Sequence, residues 1–106
     1  MSTSKLDTFR QMVARTPNNF LARFGLANEA LKAGLHDEAR EHLEVYLAGY
    51  DDEGNGWGRL AEALVGLGRE REAAEALRKG IAASMKAGHP SMAAEFEERL
   101  EQLGEG

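Results

Sequence analysis

Several residue types and patterns are missing from the sequence. It has no cysteine, which excludes disulfides, zinc–thiolate sites and thiol nucleophiles. No apolar run approaches the roughly 18–20 residues that cross a bilayer. Lys and Arg do not cluster, and the net charge of −5 repels phosphate backbones. The polar first residues do not resemble a secretion signal. We therefore expect a cytoplasmic protein that binds neither nucleic acid nor membrane.

The residues that dominate the sequence favour helix. Ala, Leu, Glu and Arg are abundant, and these residues lose little conformational freedom when a helix forms. A content of 42% hydrophobic and 29% charged residues is too apolar for a disordered chain. A length of 106 residues suits one domain. The composition predicts a single all-α domain over residues 1–106.

When the sequence is shifted along itself so that Leu26 lies on Leu60, many other residues also coincide, and no gap is needed. We call this shift the repeat offset. The matching positions are mostly apolar or glycine, which is not the pattern of chance coincidence in a chain rich in Ala, Leu and Glu. The identical pairs also include Ala27 with Ala61, Gly34 with Gly68, Ala39 with Ala73, and Leu43 with Leu77.

Each copy contains two stretches with helical spacing of apolar residues, separated by a glycine that can end a helix in the left-handed conformation. The copies occupy residues 20–53 and 54–87. A leading amphipathic helix is predicted over residues 4–16, with Met12 on its apolar face. A trailing helix is predicted over residues 90–104, where Pro90 suits the first turn. The sequence thus predicts about six helices.

The second copy resembles the tetratricopeptide repeat, whose period of about 34 residues equals the repeat offset. Its signature aromatic and apolar positions are filled by Trp57, Leu60 and Leu64, and the later Ala-x3-Phe element by Ala73 and Leu77. The first copy matches through Leu26, Ala27, Ala39 and Leu43, and Ala61, like Ala27, stands where the family has Gly. The leading helix resembles the second half of an earlier repeat.

The resemblance implies antiparallel helix pairs stacked into a right-handed superhelix with a concave, polypeptide-binding face. The subclass that grips a C-terminal carboxylate needs several Lys, Arg and Asn on this face, and here only Asn28 stands at such a position. The residues that the resemblance assigns to the groove are Leu21, Phe24, Asn28, Leu31, Arg59, Glu62 and Val65. The residues that it assigns to the repeat core are Leu26, Ala27, Ala39, Leu43, Trp57, Leu60, Ala61, Ala73 and Leu77.

The expected function is therefore that of an adaptor or scaffold that holds another protein or peptide, without catalysis and without a cofactor or metal. The alternative is self-assembly, in which the two end helices complete one another head to tail in a homo-oligomer. In a third interpretation, the end helices are caps that shield the core of a repeat array.

Other motifs suggest calcium, phosphate or metal binding, but each departs from the pattern that such a site requires. Asp51, Glu53, Asn55, Gly56 and Glu62 imitate a calcium-binding loop, although Glu53 is too long for its place. The three glycines between positions 54 and 58 imitate a phosphate-binding loop, but no strand precedes them, and we expect them to loosen a turn so that Trp57 can pack. The three histidines, His36, His42 and His89, are expected at the surface or at helix caps, because His36 and His42 are six residues apart and face different sides of a helix.

Overall fold

The computed structural model describes residues 4–104, and this part of the chain is all-α and contains no strand. The all-α prediction is confirmed. Each helix packs against the next along the chain, and the first helices of the two predicted pairs, α2 and α4, also touch. Short connections between packed neighbours make consecutive helices run in opposite directions. The six helices of the described residues are α1 (Lys5–Arg15), α2 (Phe20–Lys32), α3 (His36–Gly49), α4 (Asn55–Gly66), α5 (Glu70–Lys86) and α6 (Pro90–Gln102).

Local sequence explains where the helices begin and end. The Asn19 side chain caps α2 by accepting a hydrogen bond of 3.0 Å from the backbone N–H of Ala22. Ser4 caps α1 in the same way. Gly34 and Gly68 follow α2 and α4 with φ of +76° and +75°, a conformation that glycine adopts without steric cost. The two copies therefore end their first helices in the same way.

The apolar residues of both copies meet in a core that extends from α2 to α6. Leu26 and Leu60, which correspond to each other in the two copies, are 1% and 6% exposed. Trp57 is only half-buried at the edge of this core, with the Lys79 ammonium 5.3 Å from its ring centroid. The other residues assigned to the repeat core are all buried: Ala27, Ala39, Leu43, Ala61, Ala73 and Leu77.

The leading helix α1 covers the outer side of α2. Val13 is buried there, and Phe9 lies over Gly25, where a side chain would collide with the Phe9 ring. Arg10 adds two hydrogen bonds to Glu38 of α3, at 2.9 and 2.7 Å, and this contact lowers the pKa of the Glu38 carboxyl. Met12 is 38% exposed, so the apolar face of α1 is narrower than expected.

The glycines before and within α4 serve close packing, which corrects the expectation that all three loosen a turn. Only Gly54 lies in the turn, with φ of +126°, whereas Gly56 and Gly58 lie inside α4. A Cβ atom at Gly56 would lie 2.8 Å from the Tyr46 ring, and one at Gly58 would lie 2.8 Å from the Phe96 ring. These glycines let aromatic rings of α3 and α6 pack closely against α4.

The buried carboxylate of Asp52 organises the start of α4. It accepts hydrogen bonds from the backbone N–H groups of Gly54 and Gly56, at 2.8 and 2.7 Å, and from the Tyr46 hydroxyl at 3.0 Å. Burial, followed by the charge of Asp52, raises the pKa of Tyr46. Asp52 thus takes the place of a helix cap and ties the two copies together.

Candidate functional site

One face of the molecule, formed by α2, α4 and α6, carries three adjoining clefts. The first cleft lies between α2 and α4, the second between α4 and α6, and the third at the C-terminal ends of α4 and α6. Neighbouring clefts share lining residues: Arg59 lines the first and second, Glu62 the first and third, and Arg99 the second and third. Arg59, Glu62 and Val65 follow one another at intervals of three residues, so they form a ridge along α4. The clefts therefore form a single interrupted groove.

The first cleft, between α2 and α4, encloses about 350 Å³. It brings together four of the residues that the resemblance assigns to the groove: Asn28, Leu31, Arg59 and Glu62. Phe9 of α1 forms part of its wall. The nearest atoms of the Arg59 and Glu62 side chains are 3.7 Å apart, and each side chain is about half exposed. This cleft offers apolar contact beside polar groups of both signs.

The second cleft, between α4 and α6, is larger, at about 800 Å³. Its apolar surface comes mainly from Met92, with the edge of the buried Phe96 ring, and its charged lining comprises Arg59, Arg99, Glu53 and Glu95. At its rim, Nε2 of His89 donates a hydrogen bond of 2.9 Å to the Glu53 carboxylate, which joins the turn before α4 to the start of α6.

The third cleft, of about 200 Å³, lies at the C-terminal ends of α4 and α6. Val65, another predicted groove residue, lines it with Leu77 and Leu103. Val65 is 43% exposed, so its side chain contributes apolar surface to the cleft. The third cleft extends the groove in the direction of α6.

Two predicted groove residues lie away from these clefts. Leu21, at the start of α2, is 77% exposed and lines none of the three. The Phe24 ring packs 4.9 Å from the Tyr46 ring, between centroids, and against the core. Phe24 therefore acts chiefly as a packing residue, and the apolar contacts in the clefts come from other side chains.

The histidines have separate environments. Nδ1 of His42 accepts a hydrogen bond of 3.0 Å from the Arg23 guanidinium. Burial, followed by the charge of Arg23, lowers the pKa of His42. His36 is half-buried beside Gly66. These positions give the histidines three unrelated sets of neighbours.

The residues that imitate a calcium loop do not form a loop in this structure. Asn55 and Gly56 are already helical, and the carboxylate that accepts a hydrogen bond from the Gly56 backbone belongs to Asp52 rather than Asp51. Among residues 4–104, no three Asp, Glu or His side chains gather in a way that could hold a metal ion. In the same range, none of the helices is both long and apolar enough to span a membrane.

Comparison with known proteins finds similarity in structure but none in sequence families. The sequence matches no known protein family and no curated protein. Its structure is similar to the solution structure of protein BPP2914 from Bordetella parapertussis, with a TM-score of 0.83 and 25% sequence identity. The match covers 97% of this chain and 90% of that one.

The sequence interpretation missed the contribution of α6 to the groove. Arg99, Met92 and Phe96 line the second cleft, although α6 was expected to cap the core or to join a second copy. A shift that is two residues longer than the repeat offset would have indicated this role, because it aligns Leu60 with Phe96 and Leu64 with Leu100. All four of these side chains are buried, so α6 packs as α4 does.

Proposed function

We propose that this protein is a non-enzymatic adaptor that binds a segment of another polypeptide in the groove formed by α2, α4 and α6. The observation that carries the proposal is the convergence of Asn28, Leu31, Arg59 and Glu62 on one cleft that adjoins two others. A groove with apolar surface and scattered polar groups suits a helix or an extended segment, because apolar contacts supply affinity and polar groups fix orientation.

The proposal includes the arrangement of a tetratricopeptide repeat, with α2–α3 and α4–α5 as the repeating pairs over residues 20–53 and 54–87. It is supported by the burial of both Leu26 and Leu60 and by the matching glycine conformations at Gly34 and Gly68. In such an array, the first helices of successive pairs line the concave face. The proposal also includes the expected cytoplasmic location.

Self-assembly through the two end helices has less support. The apolar side of α6, with Phe96 and Leu100, is already buried against the core. Its other side exposes Glu97, Glu98 and Glu101, so it presents charged rather than apolar surface to a second copy. This arrangement suits a solvated cap.

The test is selection of random peptides on the intact chain, followed by affinity measurements with purified variants. We expect Asn28→Ala and Arg59→Ala to weaken binding of the selected peptides. Arg71→Ala, which changes an exposed residue of α5 outside the three clefts, is the matched control and should bind as the parent does. Failure to select any peptide, or equal effects of all three substitutions, would contradict the proposal.

A further inference from the structure

The second cleft contains two guanidinium groups, Arg59 and Arg99, and neither of them is hydrogen-bonded to a carboxylate among the described residues. Arg99 donates a hydrogen bond of 3.2 Å to the backbone oxygen of Gly58, and its guanidinium carbon lies 5.7 Å from the Phe96 ring centroid. Among residues 4–104, no carboxylate forms an ion pair with Arg99. The carboxylate paired with Arg59 belongs to Glu62, at 3.7 Å, which is beyond hydrogen-bonding distance.

The two carboxylates that line the second cleft form no ion pair with these arginines among residues 4–104. Glu53 is engaged by His89 at the rim, at 2.9 Å. Glu95 lies on α6, one turn before Arg99, without an ion pair to it among the described residues. Because guanidinium groups have several N–H donors in a fixed plane, Arg59 and Arg99 both keep donors available for an incoming carboxylate.

Apolar surface lies beside the two arginines. Phe96 is buried to 4% exposure and approaches α4 closely because Gly58 has no side chain, and Met92 is half-buried next to it. Met is a flexible side chain that adapts to different apolar partners. The cleft therefore combines two guanidinium groups that have available N–H donors with an adaptable apolar wall.

We infer that the second cleft binds an acidic side chain, with an adjacent apolar side chain, from an internal segment of the partner polypeptide. The carboxylate lies between Arg59 and Arg99, and the apolar neighbour packs chiefly on Met92, because Phe96 is only 4% exposed. This inference rests on the proposed function and specifies the partner's chemistry. The net charge of −5 opposes long acidic tracts, so a short acidic and apolar motif fits better than a polyacidic segment.

The experiment uses peptides selected on the intact chain and resynthesised with an amidated C-terminus, so that only side chains carry carboxylates. We expect the peptides to share an Asp or Glu beside an apolar residue. Replacing that acidic residue by its amide should weaken binding about tenfold. Arg99→Gln and Arg59→Gln should each weaken binding of the acidic peptide and lose most of the discrimination between acid and amide.

Two controls distinguish a specific role of the cleft arginines from a general charge effect and from impaired folding. Arg71→Gln removes an exposed positive charge elsewhere, and it should leave the discrimination unchanged. Arg59→Gln alters a side chain that is 52% exposed, so it tests the inference even if Arg99→Gln impairs folding. Peptides that bind in the groove but prefer Lys, show no acid–amide discrimination, or need a free C-terminus would overturn the inference and leave the proposed function standing. Absence of groove binding altogether would overturn both.

Discussion

Individual residues join the two copies through hydrogen bonds, and Asp52 is the clearest example. Its carboxylate accepts three hydrogen bonds, from Tyr46, Gly54 and Gly56, and the residue is only 9% exposed. Removing a buried acceptor leaves its donors without partners, which costs more than the hydrogen bonds themselves contribute. Asp51, the neighbouring residue, is exposed.

We therefore predict that Asp52→Ala lowers the free energy of unfolding by about 1–3 kcal/mol. Asp51→Ala, the matched control, should change it by less than about 0.5 kcal/mol. Urea denaturation followed by circular dichroism measures both values. Equal stability of the two variants would show that the Asp52 contacts do not hold the start of α4.

His42 is predicted to make stability depend on pH. Burial and Arg23 lower its pKa in the folded chain, so the unfolded chain binds more protons as the pH falls through the ordinary histidine range. The free energy of unfolding contributed by this residue is therefore present above that range and declines below it. Urea denaturation between about pH 7.5 and about pH 5.5 should show this loss.

The control for this effect is His42→Gln, which does not titrate and keeps an oxygen that can accept from Arg23. We expect the variant to lose less stability than the parent over the same interval. Identical pH dependence in the two proteins would contradict the assigned environment of His42.

At the level of helices, the two copies should respond equally to equivalent substitutions. Gly34 and Gly68 both adopt positive φ, and nothing lies within 4 Å of where a Cβ would stand. The cost of Ala at either site thus comes only from the left-handed conformation, which is about 1–2 kcal/mol. We predict that Gly34→Ala and Gly68→Ala reduce stability by similar amounts in urea titrations, and that a large difference would argue against equivalence of the copies.

The elements that could be predicted from the sequence are those with a strong helical period and a glycine or cap at the end. The repeat offset predicted α2 to α5, and Asn19 and Gly34 lie at helix boundaries as local chemistry requires. Gly56 and Gly58 were misinterpreted as turn residues, because a glycine inside a helix is explained only by neighbours distant in sequence, here Tyr46 and Phe96.

The candidate site was predictable only in part for the same reason. Asn28, Leu31, Arg59, Glu62 and Val65, which the resemblance assigned to the groove, line the clefts. Phe24 shares their period, but its ring finds Tyr46 in the core. The residues of α6 match those of α4 only when the shift is two residues longer than the repeat offset, because α5 is a longer helix than α3. A search at one fixed period does not detect this match.

For the molecule as a whole, the central claim is that the face formed by α2, α4 and α6 binds a polypeptide, while α3 and α5 support it from behind. The measurement that tests it most directly is a nuclear magnetic resonance titration of the labelled intact chain with a selected peptide. We predict that the largest backbone shift changes occur around Asn28, Arg59, Glu62 and Arg99. Changes concentrated on exposed residues of α3 and α5, such as Glu41 and Arg71, would contradict the account.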